Sequence, residues 1–154
     1  MTHIDYTLYL VTDRSVMSAK SLEQAVEQAI QGGCTVVQLR EKYASSREFF
    51  ETAQRVKQIT DSYHIPLIIN DRTDICLAVN AAGIHIGQQD LPAKIVRSMV
   101  GPDKIIGVSA ATLSEAIQAE QDGADYLGVG AMFATSTKTN TRPITIEQLT
   151  QIKQ

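Results

Sequence analysis

The run Val36–Lys42 (VVQLREK) begins as a buried strand and ends in polar groups. It places Gln38, Arg40 and Lys42 two residues apart, so as a strand they share one face. A guanidinium fork and a mobile ammonium on one face suit the oxygens of a phosphate or pyrophosphate. Asp71 follows the apolar run PLIIN, which ends in Asn70, and Asp90 stands in QQDLP. Each carboxylate has two readings: a helix cap, or half of a pair that holds Mg2+ together with phosphate oxygens and water. Phe133–Thr141 (FATSTKTNT) offers the hydroxyls of Thr135, Ser136 and Thr137 beside Lys138, a set able to clasp a phosphate without a GxxxxGK[ST] loop. His85 stands opposite Ile84 and Ile86 along its strand and reads as a satisfied core residue. Neither a Ser/His/Asp or Cys/His nucleophile set nor zinc-spaced ligands stand out. Such a list of ion binders fits a reaction in which a pyrophosphate leaves and the protein neutralises charge.

Short apolar runs must carry these groups. Leu8–Thr12, Thr35–Arg40, Pro66–Asn70, Gly83–Gly87, Ile105–Ser109 and Asp125–Gly130 are rich in β-branched residues, as parallel strands covered by helices are. Capping boxes open helices at Ser21–Gln24, Ser45–Glu48, Thr112–Glu115 and Thr145–Gln148. Behind Ser45, the spacing predicts a face of Phe49, Phe50, Ala53, Val56 and Ile59. Glycines at 32–33, 83 and 123 read as helix ends before the next strand. Strict alternation of strand and helix means a parallel sheet, doubly wound or closed. Polar residues recur at strand carboxyl ends (Asp13-Arg14, Gln38 to Lys42, Asn70-Asp71, Gln88 to Asp90, Ser109 and Thr135–Lys138), as at the mouth of a TIM (βα)8-barrel. Six strands are legible where a closed barrel has eight. The expectation is therefore one domain over residues 1–154, of the (βα)8-barrel family, incomplete with about six βα units.

With 154 residues, 44% hydrophobic and 20% charged, the chain can build a core. Its net charge of -3 and lack of tryptophan point away from nucleic acid and anionic membranes. No apolar run reaches the ~20 residues of a membrane span, and Met1–Asp5 lacks the pattern of a signal peptide. Cys34 and Cys76 stand apart, without CxxC, and read as reduced and buried in a cytoplasmic protein.

LYLVTDR (8–14), VVQLREK (36–42), PLIINDR (66–72), GIHIGQQDLP (83–92), IIGVS (105–109) and GADYLGVGAMFATSTK (123–138), in this order, resemble the thiamine phosphate synthase family. The resemblance implies a transferase of thiamine biosynthesis on a (βα)8 barrel. It would join hydroxymethylpyrimidine pyrophosphate to thiazole phosphate and release pyrophosphate with Mg2+, through a carbocation-like step. It also implies roles. Gln38, Leu39, Arg40, Glu41 and Lys42 would bind the pyrimidine pyrophosphate, with Arg40 and Lys42 on its oxygens and Asn70 beside them. Asp71 and Asp90 would hold Mg2+. Ser109 and Lys138 would complete that pocket, and Thr135, Ser136 and Thr137 would hold the thiazole phosphate. Two departures stand out. The family usually carries prolines where this chain has Ala131 and Ala134, which implies a looser loop and weaker thiazole phosphate binding. The family's last two βα units are also missing, so a shortened chain would keep the pyrophosphate half of the site. Its open sheet edges would invite self-association or a separate C-terminal piece. An inactive or regulatory relative that binds a phosphorylated ligand is a further reading. So is a thiazole tautomerase-like paralogue, although an isomerase of a monophosphate needs no pyrophosphate–metal set.

Overall fold

The computed structural model describes residues 4–133 and 143–153. Among them strand and helix alternate throughout: β1 (Tyr9–Val11), α1 (Leu22–Gln31), β2 (Val36–Leu39), α2 (Ser46–Ser62), β3 (Leu67–Asn70), α3 (Thr73–Ala78), β4 (Gly83–Ile86), α4 (Ala93–Val100), β5 (Ile105–Ala110), α5 (Leu113–Gln121), β6 (Tyr126–Val129) and α6 (Ile146–Lys153). The alternation of βα units is the one expected of the (βα)8-barrel class. Two compact units divide the chain, one ending at Ile84 and the other starting at His85, so the division falls inside β4.

In the first unit β1, β2 and β3 run parallel, with Val11 beside Gln38 and Gln38 beside Ile68. The pleat then sets Gln38 and Ile68 on one face and Leu39 and Ile69 on the other. Val36, Val37, Leu39, Leu67, Ile68 and Ile69 are all buried, as are Leu22 and Val26 of α1 and Phe49, Ala53 and Val56 of α2. Burying a side chain as large as Phe49 contributes about 1.5–3 kcal/mol.

The Ser45 capping box forms in full, and Gln24, Glu115 and Gln148 each donate a backbone N–H to the predicted cap hydroxyl. The buried stripe of α2 is turned from the predicted one. Thr52 and Thr60 are buried, whereas Phe50 and Ile59 are only half-buried. Positions 49, 52, 53, 56 and 60 follow the helical period more closely, and the Thr60 hydroxyl bonds the Lys57 carbonyl, which lets it go inside. Gly33 and Gly123 close their helices with φ of 100° and 88°. After α3, Asn80 takes the left-handed turn at φ 50°, and Gly83 belongs to β4 rather than to a helix end.

In the second unit β5 and β6 are parallel, with Gly107 beside Tyr126 and Ser109 beside Gly128. Arg97 of α4 ties this unit together. It donates to the carbonyls of Gly101, Lys104 and Gly123 and pairs with Asp125 at 2.6 Å. Asp125 also accepts the Ile106 N–H at 2.7 Å. None of the helices among the described residues is long and apolar enough to cross a membrane. Both cysteines are buried, the Cys34 thiol on the Val36 carbonyl and the Cys76 thiol on the Gly83 carbonyl.

Candidate active site

At the carboxyl ends of β1–β3 the first unit gathers its charges. The pleat puts Gln38, Arg40 and Asn70 on one side of the sheet. Gln38, 4% exposed, donates its amide to the Tyr9 hydroxyl at 2.9 Å. The Arg40 backbone N–H bonds the Thr12 hydroxyl, and its guanidinium pairs with Asp13 at 3.0 Å. Glu41 takes Arg14 with both oxygens, at 2.7 and 3.0 Å. Lys42 pairs with Asp71. The Ser15 hydroxyl and backbone N–H, and then the charge of Arg40, hold the Asp13 carboxyl below the ordinary carboxylate range. Each cation thus rests on a carboxylate, which keeps a half-buried guanidinium or ammonium from standing unpaired. An arriving phosphate group would compete with those carboxylates for the same cations.

Asp71 is not a helix cap. The residue before α3 is Arg72, which makes no side-chain cap bond and instead pairs with Asp74. Asp71 sits at φ 63° at the apex of a three-residue turn closed by the Arg72 N–H and the Asn70 carbonyl, 2.8 Å apart. For a residue other than glycine that conformation costs on the order of 1 kcal/mol, and strain of this kind gathers at functional sites. Asp90 is not a cap either. Pro92 precedes α4 without a side-chain cap bond, and Asp90 accepts the Gly87 N–H at 2.7 Å, folding back on the end of β4. Neither carboxylate therefore serves as a helix cap. Among the described residues no three His, Cys, Asp or Glu side chains form a metal cluster. Each of the two carboxylates is a hard oxygen donor of the kind Mg2+ takes alongside phosphate oxygens and water.

Ser109 lies in β5 of the second unit. Its hydroxyl is 2.9 Å from His85 Nε2, its carbonyl accepts from Gln88 at 2.7 Å, and His85 Nδ1 is 3.0 Å from the Tyr126 hydroxyl. His85 is thus partnered as expected, but half-buried and bonded to Ser109, a candidate site residue. The Leu39 side chain is fully buried on the face opposite Gln38, which leaves its backbone for any ligand. Thr135, Ser136, Thr137 and Lys138 lie outside the described residues. Sequence reasoning missed Tyr9 and Tyr126, because a tyrosine in an apolar strand reads as core. Their signal is register: Tyr9 is two residues before Val11, the neighbour of Gln38, and Tyr126 is two before Gly128, the neighbour of Ser109. A hollow of about 260 Å³ lies between β1 and α1, lined by Leu10, Val16, Leu22 and Ala25 with Asp13 at its edge. Neither Arg40 nor Lys42 lines it, so it is not where the cations gather.

Parallel βα units with charged residues after their strands define a protein of the (βα)8-barrel class. Comparison with known proteins narrows this. Residues 8–154 match the family described as thiamine monophosphate synthase, and the chain belongs to that family. It is 64% identical over 149 residues to thiamine-phosphate synthase of Ruminiclostridium cellulolyticum, covering 97% of this chain and 71% of the relative. It is 59% identical to that of Clostridium beijerinckii, covering 98% and 72%. The solved thiamine phosphate pyrophosphorylase of Pyrococcus furiosus superposes with a TM-score of 0.84 at 39% identity, over 94% of this chain and 68% of that one. An N-acetylmannosamine-6-phosphate 2-epimerase from Clostridium perfringens, at 15% identity and a TM-score of 0.62, shares the fold alone.

Proposed function

We propose that the chain acts as a thiamine-phosphate synthase, joining hydroxymethylpyrimidine pyrophosphate to thiazole phosphate. The carbon–oxygen bond of the pyrimidine pyrophosphate breaks, and its electron pair leaves with pyrophosphate. The thiazole nitrogen then gives its lone pair to the methylene cation. No proton need move, which suits a site of ion binders without a nucleophile. The observation that carries the reading is the set Arg40, Lys42 and strained Asp71 after β2 and β3, in a chain of this family.

In this reading Arg40 and Lys42 leave Asp13 and Asp71 for the pyrophosphate oxygens, and bind most tightly as negative charge grows on the leaving group. Gln38, held by Tyr9, and Asn70 orient the pyrimidine end. Asp71, once released by Lys42, and Asp90 would hold Mg2+, which supplies further positive charge to the departing pyrophosphate. Ser109 completes the pocket with Lys138, and Thr135, Ser136 and Thr137 take the thiazole phosphate. Two buried cysteine thiols that do not pair with each other support a reducing, cytoplasmic setting. Leu8 and Val11 along β1 are about half exposed, which supports a second copy of this chain as a protein partner; the mass in solution tests this.

Pyrophosphate release from the two substrates with Mg2+ tests the reaction. Release that requires both substrates is expected. Binding of the pyrimidine pyrophosphate without release would leave a ligand-binding relative instead. Asp71→Ala is expected to abolish the Mg2+-dependent part of pyrimidine pyrophosphate binding, measured by calorimetry. Unchanged binding would remove Asp71 from the metal site.

A further inference from the structure

Tyr126, His85 and Ser109 form an unbroken chain of hydrogen bonds across β6, β4 and β5. Two glycines make room for it. A Cβ at position 107 would stand 2.0 Å from Tyr126 Cζ, and one at position 128 would stand 2.9 Å from His85 Cε1. Gly107 neighbours Tyr126 and Gly128 neighbours Ser109 across the same parallel pair. The two bare positions are therefore the ones over which the phenol and imidazole rings lie. The rings also approach each other, with centroids 5.5 Å apart. The Ser109 carbonyl is fixed separately by the Gln88 amide. Backbone and hydroxyl of one residue are thus held by two different side chains, more than packing requires.

We propose that His85 is a positioning residue whose ring, fixed by Tyr126, turns the Ser109 hydroxyl into a hydrogen-bond donor for the substrate. A neutral imidazole donates from one nitrogen and accepts at the other. A phenol hydroxyl is a stronger donor than a neutral imidazole N–H, so the Tyr126 hydroxyl donates to His85 Nδ1. The proton then sits on Nε2, which donates to Ser109 Oγ. Ser109 has a single proton, and with its oxygen already accepting, that proton is turned outward. Its target is an acceptor atom of the pyrimidine pyrophosphate, a phosphoryl oxygen or a ring nitrogen. The opposite polarity would make the Ser109 oxygen an acceptor for a substrate amino group, so the two directions recognise different chemistry. The substrate assignment rests on the synthase reading; the polarity of the chain does not.

Two measurements on the purified chain decide the matter separately. Nitrogen-15 NMR of the ligand-free protein, with the His85 signals assigned by their loss in His85→Gln, reads the tautomer. The Nε2-protonated form is expected in the parent, shifting to a mixture in Tyr126→Phe. An Nδ1-protonated ring in the parent overturns the proposal, whatever the chain's activity. The second measurement is pyrimidine pyrophosphate affinity and turnover. His85→Leu is expected to lose about tenfold in one or both, the scale of one hydrogen bond to a charged ligand. His85→Gln, whose amide can still donate to Ser109, recovers most of it. In a Ser109→Ala background, His85→Leu costs nothing more. A full tenfold loss in that background would mean that His85 does not act through Ser109. If the parent protein neither binds nor turns over the substrate, the synthase reading fails, while the tautomer still decides the polarity.

Discussion

Gly107→Ala is the sharpest probe of how the second unit is built. The added Cβ would lie 2.0 Å from Tyr126 Cζ, 2.3 Å from its hydroxyl oxygen and 2.4 Å from Cε1. Carbon atoms pack at about 3.5–4.0 Å, so the ring must move by roughly 1.5 Å, or β5 and β6 must part. Neither is free, because the Tyr126 hydroxyl is bonded to His85 and the strands are paired at this very residue. Overpacking of this kind costs about 1–3 kcal/mol. For a chain of this size that is roughly 2–4 °C of melting temperature per kcal/mol. Urea unfolding followed by far-UV circular dichroism measures it as a lowered midpoint at unchanged slope. The decisive comparison uses the Tyr126→Ala background, where the ring is gone and Gly107→Ala should cost close to nothing. Equal cost in both backgrounds would show that the ring does not lie over Gly107, and would take away the glycine argument for the His85–Ser109 chain.

Two further outcomes follow from the first unit. The Thr73 hydroxyl is buried without a hydrogen-bond partner among the described residues, so Thr73→Val should leave stability unchanged or raise it by about 1 kcal/mol. A loss above that size in the urea midpoint would mean that the hydroxyl is satisfied in solution. The Asp13 carboxyl is held low by Ser15 and then Arg40, Glu48 by Ser45, and Asp74 by Arg72. A folded-state value below the unfolded one adds stability that is present above the unfolded value and lost as pH falls through the folded one. The urea midpoint should therefore hold steady near neutrality and fall as the pH drops below about 4, and a midpoint that rises with acid would contradict the assignment.

Much of the architecture was legible because each local signal agreed with the others. Helix starts were written as hydroxyl and Glu/Gln pairs three apart, and strands as short β-branched runs. Most strand ends were read slightly long, since Arg40 lies just past β2, whereas β5 runs one residue beyond Ser109. The buried stripe of α2 was read from hydrophobicity, and two threonines displaced Phe50 and Ile59 because helical phase, not side-chain oiliness, sets which residues face inward.

The candidate site divides in the same manner. Spacing alone set Gln38 and Arg40 on one face of a strand, since the pleat of a β-strand depends on nothing beyond the strand itself. The alternation of strand and helix likewise dictated a parallel sheet with polar residues after its strands. Partnership is different, because it joins residues far apart in the chain. Asp13 on Arg40, Asp71 on Lys42, and Tyr126 and Ser109 on one imidazole are 27, 29, 41 and 24 residues apart. No local pattern encodes such a meeting. Nor does the sequence say whether an aspartate before a helix caps it or folds away, since both need the same residue at the same place. Only the folded backbone, with Asp71 turned to a positive φ and Asp90 drawn back to Gly87, separates the two.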